Sequence, residues 1–392
     1  MSRVPLLWSL RLGTRSVPDG NLGHRIAPRA ATLISITVAF ARASDALTLR
    51  FINAGDPAQP TNLLDVLFAA GAVHLGGIIT LTANPSVDVS TSVGKLEPFI
   101  KMRCSTAERD PGGGGINVAR VVTRMGGDAL AIYPAGGVTG QWLNARLQRD
   151  GIRTLPIAIS GETREDFTVS ELSTSLQYRF VLAGSPLAKG EWEECLRVLA
   201  ESARGVGFVV ASGSLPPGVP TDFYARAAQV AKACGARMVV DTSGTALKAA
   251  VNEGVFLIKP NLREFEDLIG GRAADEAELI KSARGLISRG RVDIVAVSLG
   301  PKGALLISRD RCWRADALPI KRASVVGAGD SFLGAMVWRL ANQGDLRSAL
   351  SYGVAAGSAA LLNPGTELCR LDDVIQLLRQ VKVSEVSLHF SA

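Results

Sequence analysis

Residues 110–133 read DPGGGGINVARVVTRMGGDALAIY. Four consecutive glycines run into a stretch whose apolar residues recur at Ile116, Ala119, Val122 and Met125. That three- and four-residue spacing predicts a helix over Gly115–Met125. A glycine pair follows, and then an apolar, β-rich segment, Ala129–Tyr133, that predicts a strand. A flexible linker would not continue into so regular an amphipathic helix, so the glycines belong to a loop between a strand and a helix. The strand expected before it is Ile78–Ala83, which closes on Asn84-Pro85.

The same alternation extends on both sides. A helix is expected at Gly140–Arg149 and a strand near Thr154–Ile159. Further strands are expected at Gly207–Ala211, Arg237–Val240, Val255–Ile258 and Val292–Val297, and further helices at Thr221–Ala233 and Ala274–Arg289. Strands alternating with helices of this length form right-handed βαβ units, which build a largely parallel sheet covered on both faces. Two segments, Ser86–Cys104 and Phe167–Val181, break the rhythm. They alternate polar and apolar residues (Phe167, Val169, Glu171; Tyr178, Phe180) and predict a small antiparallel sheet at one edge, a candidate lid. Beyond Gly327 the chain is expected to be helical to its end, with breaks at Gly344-Asp345 and Asn363-Pro364-Gly365.

Composition sets the frame. The 392 residues are 47% hydrophobic and 20% charged, which suits a core-burying globular chain of one large or two modest domains. Five cysteines (Cys104, Cys195, Cys234, Cys312, Cys369) are scattered without a C-x-x-C pair, as expected of free thiols in the cytoplasm. Three histidines, His24, His74 and His389, give no material for a histidine metal cluster or a Ser-His-Asp triad. The net charge of +7 is not gathered into basic runs with interleaved aromatics, so nucleic acid is not an expected partner. No segment reaches the roughly 20 apolar residues of a membrane-spanning helix.

Residues 1–77 differ from the rest. Residues 1–44 hold six arginines and a single acidic residue, Asp19, with a short apolar run at Ala31–Ala41. Three readings stand open: an Arg-rich transit peptide, a secretory signal, or a non-essential extension from an upstream start codon.

In open α/β sheets, ligands lie beyond the carboxyl ends of the strands, and four motifs fall at such places. In Val326-Gly327-Ala328-Gly329-Asp330-Ser331, two glycines let the backbone approach a ligand, and the first helical N–H groups would hold an anion. Asp330 either caps this helix or takes a proton from an attacking hydroxyl. In the four-glycine loop the backbone would pass against a polar ligand, with Asn117 donating and accepting hydrogen bonds. In Ile258-Lys259-Pro260-Asn261-Leu262-Arg263-Glu264, Asn261 and Glu264 form either a simple capping box or a site for phosphate and hydrated Mg²⁺. Ser298–Ala304 in isolation is a tight hairpin turn. Neither G-x-G-x-x-G nor G-x-x-x-x-G-K-[ST] occurs, which removes a P-loop.

Taken together over about residues 78–382, these motifs resemble the PfkB (ribokinase-like) family of carbohydrate kinases. The nearest branch is that of the bacterial minor-isozyme 6-phosphofructokinases, through PGGGGINVAR, SGSLPPGV, VSLGPKGA and GVAAGSAA. The resemblance implies a ribokinase-like three-layer αβα sandwich with a mostly parallel sheet and a small β lid. It implies an extension over 1–77, a kinase domain over 78–385 with lid strands at about 86–104 and 165–181, and a tail over 386–392. The implied reaction is ATP-dependent phosphorylation of D-fructose 6-phosphate to fructose 1,6-bisphosphate. Relatives acting on fructose 1-phosphate or tagatose 6-phosphate tend to carry Lys within the glycine run, which here is all glycine. Those two specificities are the nearest alternatives, and a non-catalytic sugar-phosphate sensor is the alternative of another class.

By the same resemblance Asp330 is the base, and Gly327, Ala328 and Gly329 supply the anion hole. Asp88, Gly113, Gly114, Asn117 and Ser214 bind the sugar, and Lys101, Arg103 and Arg164 meet its phosphate. Lys259, Asn261, Ser298, Gly300 and Gly303 lie on the ATP side, with Glu264 orienting Mg²⁺ through water. A monovalent cation such as K⁺ is implied at Ser324, Val326, Ala360, Asn363 and Gly365, and a homodimer through the lid. The sequence departs from the family at Val325, where Thr or Ser is usual. Glu97 stands where close relatives present an aromatic, and Glu367 where the nearest ones have a basic residue.

Overall fold

A computed structural model describes residues 12–15, 32–38, 47–53, 77–320 and 324–386. The chain divides into two units, Met1–Val73 and His74–Ala392. In the first, β1 (Leu12–Arg15), β2 (Thr32–Val38) and β3 (Leu47–Asn53) form an antiparallel sheet in that order. The expectations for residues 1–77 and for the tail otherwise fall mostly outside the described residues.

The second unit begins with β4 (Ile78–Leu81), β5 (Ser86–Val93) and β6 (Glu108–Gly112). Helix α1 (Gly114–Arg124), β7 (Ala129–Ala135), α2 (Gly137–Arg149) and β8 (Arg153–Ala158) follow, and then the hairpin β9 (Arg164–Glu171) and β10 (Leu176–Phe180). The alternation resumes with α3 (Lys189–Ser202), β11 (Phe208–Ser212), α4 (Phe223–Ala233), β12 (Arg237–Asp241), α5 (Gly244–Glu253) and β13 (Val255–Ile258). Next come α6 (Leu262–Ile269), α7 (Glu276–Ser288), β14 (Val292–Ser298), β15 (Ala304–Ile307) and β16 (Cys312–Ala315). The chain closes with α8 (Ala328–Ala341), α9 (Leu346–Ala360), α10 (Leu371–Leu378) and β17 (Val383–Glu385).

Ten strands form the central sheet, in the order β17-β16-β15-β14-β13-β12-β11-β4-β7-β8. The seven from β14 to β8 are parallel, and β15, β16 and β17 extend one edge antiparallel. Alternation along β11 sends Val209 and Ala211 into one apolar layer under α3–α7, and Phe208 and Val210 into another under α1, α2, α8 and α9. Full burial of an aliphatic or aromatic side chain stabilises by about 1.5–3 kcal/mol each, so a strand covered on both faces is held from two sides.

Three expectations need correction. The segment Ser86–Cys104 is strand only to Val93; residues 94–107 form a connection, and the second strand is Glu108–Gly112, which contains the start of the glycine run. The lid sheet, in the order β10-β9-β5-β6, is not wholly antiparallel, because β5 runs parallel to β9. The chain beyond Gly327 is not helical throughout, since Val383–Glu385 pairs with β16 as an edge strand. Its three residues are too few for periodicity to register.

Strand order reverses between β4 and β11. From β4 the chain builds outward to β7 and β8, and from β11 it builds the opposite way. The carboxyl ends of these two strands, leading to Asn84 and Gly213, are therefore where a ligand crevice is expected.

Candidate active site

The glycine run is pressed into that crevice. A Cβ on Gly114 would lie 2.2 Å from the Ser212 hydroxyl, and one on Gly115 would lie 2.9 Å from the Leu81 carbonyl oxygen. Gly113 has φ +102°, a conformation that disfavours any side chain. Only glycine lets α1 start directly over the ends of β4 and β11. Asn117, one turn into that helix, is thereby brought to the crevice floor.

Helix α8 enters from the other side. Gly327 occupies its N-cap position with φ 74° and ψ −2°, a left-handed conformation. Asp330 does not sit at the cap. It stands at the third helical position, and its Oδ2 accepts a hydrogen bond from Asn117 Nδ2 at 2.8 Å. Burial first, then the charge of Asp241, with a smaller push from Asp88, raises the Asp330 carboxyl to about 6 against the pull of Asn117 and Lys259.

Lys259, at the end of β13, pairs with Asp241 at the end of β12 (3.1 Å). Burial works against the ammonium, but Asp241, Asp330 and Glu264 hold its pKa above the ordinary value, so it remains a cation. Lys259, Asn261, Ser298, Gly300, Gly303 and Gly329 line one cavity of about 480 Å³. All five residues expected on the ATP side thus share a space that reaches the start of α8. Asn261 and Ser298 form a parallel bridge across its floor. The capping box is present: Glu264 N–H donates to Asn261 Oδ1 and Asn261 N–H to Glu264 Oε2, both at 2.9 Å. The bonds engage only one Glu264 carboxylate oxygen, and the other fits the outer shell of a hydrated cation. No cluster of three His, Cys, Asp or Glu suited to direct metal binding exists among the described residues.

On the lid side, one ladder row sets Asp110, Asp88 and Asp166 side by side. Asp88 is buried and accepts the Ser86 hydroxyl at 2.7 Å. Burial raises its pKa, with Asp166 adding to that and Ser86, Arg179 and Arg164 opposing it. Arg164 pairs with Asp166 at 2.9 Å and also donates to the carbonyls of Leu182 and Asn84. Ser214 accepts from Asn84 at 3.3 Å. Lys101 and Arg103 are exposed on the 94–107 connection and, among the described residues, form no ion pair that ties them to this crevice. Of the five cation-site residues, Ser324 and Gly365 meet directly, hydroxyl to carbonyl, at 2.6 Å. Val326 N–H donates to Ser324 Oγ, the Ala360 carbonyl accepts Asn363 N–H, and Asn363 Nδ2 bonds the Leu368 carbonyl.

Several residues in this crevice carry no motif. Arg179 and Asp166 alternate with Tyr178, Phe180 and Phe167, so strand periodicity alone would have sent them to the opposite, inner face. Asp241 merely ends an apolar strand. Asp110 and Arg120 stand inside the quoted glycine-run stretch, but what they hold, together with Thr366, shows only in their mutual contacts.

Residues 82–373 match the pfkB family of carbohydrate kinases. The chain is 46% identical over 297 residues to the ATP-dependent 6-phosphofructokinase isozyme 2 of Mycobacterium tuberculosis, covering 76% of this chain and 87% of that protein. It is 40% identical over 297 residues to the corresponding isozyme of Escherichia coli, covering 96% of it. Solved structures of Escherichia coli phosphofructokinase-2 with potassium and with fructose-6-phosphate superpose with TM-scores of 0.75 and 0.74. They are 39% and 38% identical, each covering 77% of this chain and 98% of the other.

Proposed function

The chain belongs to the pfkB family of carbohydrate kinases, and from that premise we propose that it phosphorylates O1 of D-fructose 6-phosphate with ATP. One observation carries the reading: Asp330 stands in the first turn of α8, whose Ala328 and Gly329 line the 480 Å³ cavity, and is bonded at 2.8 Å to Asn117 of the glycine-run helix, with Lys259 from the cavity and Asp88 from the lid both acting on its charge. Asp330 accepts the proton of the sugar 1-hydroxyl as that oxygen bonds to the γ-phosphorus and the bond to the β-bridging oxygen breaks. ADP leaves, and fructose 1,6-bisphosphate forms. The backbone N–H groups of Gly327, Ala328 and Gly329 face the charge that gathers on the transferred group, and Lys259 adds a fixed cation beside it. Asp88, Asn117, Gly113, Gly114 and Ser214 hold the sugar, and Arg164 its phosphate.

Mg²⁺, held through water by Glu264, would offset charge on the nucleotide phosphates. The Ser324–Gly365 contact offers oxygen donors of the kind a monovalent cation takes, in keeping with the potassium in the Escherichia coli structure. The exposed apolar residues on the outer lid face support a homodimer, in which Lys101 and Arg103 would reach the sugar phosphate in the partner's crevice. Five free cysteines and the lack of a long apolar helix among the described residues fit a cytoplasmic enzyme.

The test is ADP release by the purified chain with fructose 6-phosphate, fructose 1-phosphate and tagatose 6-phosphate. The highest kcat/KM is expected for fructose 6-phosphate, and a higher value for either other sugar overturns that specificity. Asp330→Asn should keep sugar binding while kcat falls about 10²–10⁴-fold, the usual worth of a general base. Turnover near the parent level would remove Asp330 from the reaction. Tight sugar binding without any ADP would favour the sensor reading.

A further inference from the structure

Among the described residues Arg120 is the one fully enclosed guanidinium next to the site, 3% exposed, and no step above uses it. It lies one turn beyond Asn117 on the same face of α1. Its Nη1 donates to the Pro111 carbonyl at 2.8 Å and to Asn117 Oδ1 at 3.2 Å. Its Nη2 lies 3.7 Å from Asp110 Oδ1, and the second Asp110 oxygen accepts the Thr366 hydroxyl at 2.9 Å. A continuous chain therefore runs from Thr366 through Asp110, Arg120 and Asn117 to Asp330.

The chemistry of the chain fixes its polarity. A guanidinium has donors only, so the Asn117 atom that meets it must be the carbonyl oxygen. The amide NH₂ is then left for the Asp330 carboxylate. A flipped amide would set donor against donor at Arg120 and oxygen against carboxylate at Asp330. The two orientations have the same shape, so packing alone would not choose between them.

We propose that Arg120 is a positioning residue, which locks the Asn117 amide with its NH₂ toward Asp330 and so keeps that carboxylate aimed and ionised. The proposal rests on the reading of Asp330 as the base. The charged groups facing Asp330 are Asp241 from β12, Lys259 from β13 and Asp88 from β5. Asp241 and Asp88 oppose ionisation and Lys259 favours it. Asn117 is the neutral group that favours it by hydrogen bonding, and Arg120 acts only through it.

The experiment follows the Asp330 carboxyl by ¹³C NMR titration in aspartate-labelled protein, assigned by its loss in Asp330→Asn. In Arg120→Met the titration should move up by about 1 pH unit, the worth of one hydrogen bond to a charged group. The same substitution in an Asn117→Ala background should move it little. With fructose 6-phosphate, the acid limb of kcat should rise in parallel. Arg120→Met should lower kcat while KM for ATP stays within about twofold, and Arg120→Lys, which restores a donor, should recover part of kcat. If Arg120→Met does not fold, Arg120→Lys and Asn117→Ala carry the comparison, with a smaller upward shift expected in the first. An unchanged titration in folded Arg120 variants, or an equal shift with Asn117 already removed, overturns the proposal. Absence of ADP from every sugar tested would instead strike the kinase reading, and the titration would still decide the role of Arg120.

Discussion

Burial, with Asp241 and Asp88, moves the Asp330 carboxyl from an ordinary 3.8 to about 6, and this links the residue's chemistry to the stability of the whole fold. A carboxyl whose pKa is raised by folding favours the protonated native state. It carries no penalty below about pH 4, where both folded and unfolded chains hold the proton. The native state loses ground as pH rises through 6, because the unfolded chain ionises freely while the folded one must bury the charge. Above pH 7 the ionised Asp330 should cost about 1–3 kcal/mol. Asp330→Asn is accordingly expected to be more stable than the parent at pH 7.5 and no more stable at pH 4. Urea unfolding of both at the two pH values measures this; an equal difference at both would mean that the carboxyl is not perturbed. The same value places the acid limb of kcat/KM near pH 6, which a pH–rate profile of the parent would read. Such a loss of stability at a reacting group is a common trade against activity.

The two helices that bear Asn117 and Asp330 touch through a glycine. A Cβ on Gly334 of α8 would lie 2.8 Å from the Cβ and Cγ1 of Val121 and 3.2 Å from the Val118 carbonyl oxygen, all on α1. Gly334→Ala gains up to about 1 kcal/mol of helix propensity but overpacks the crossing, which costs about 1–3 kcal/mol. Net destabilisation and a fall in kcat are expected, since parting the helices stretches the 2.8 Å Asn117–Asp330 contact. Gly190→Ala, on a helix where the new Cβ meets nothing within 4 Å, should be neutral or mildly stabilising. Thermal melts and steady-state rates of the two variants test the pair. This crossing also marks where sequence reading stops. Period-2 and period-3.6 patterns are local, so β4, α1 and the parallel strands could be read directly from Ile78–Ala83 and Gly115–Met125. Glycines at the starts of α1 and α8 mark the two walls of the crevice. The Gly334–Val121 contact, the parallel pairing of β5 with β9 and the Asp110–Thr366 link join residues far apart in sequence, and no local period encodes them. Arg179 is the instructive case, because the alternation marks Tyr178 and Phe180 as apolar positions and carries no sign that the cation between them faces Asp88.

Across the whole second unit, the lid sheet has two unlike faces. Its inner face holds Asp88, Asp110, Asp166 and Arg164 over the crevice, while its outer face carries Phe167, Tyr178 and Phe180, exposed at 39%, 38% and 52%. Leu176 on the same strand is also exposed. Contiguous apolar side chains on one face of a thin sheet are what a partner surface covers. A two-fold pair of such faces would bury them against each other and present each 94–107 connection, with Lys101 and Arg103, to the other subunit. Phe180→Asp should therefore convert a dimer to monomers in sedimentation velocity runs, since an unpaired carboxylate would be buried at the centre of the joint. If Lys101 and Arg103 serve the partner's crevice, that monomer should show a raised KM for fructose 6-phosphate while its far-ultraviolet circular dichroism stays that of the parent. Mixing Lys101→Ala/Arg103→Ala subunits with Asp330→Asn subunits sharpens the test. A shared site gives some mixed dimers an intact crevice, built from one subunit's Asp330 and the other's cations, so activity should return on mixing. Activity that stays at the sum of the two parents' would confine each crevice to a single chain.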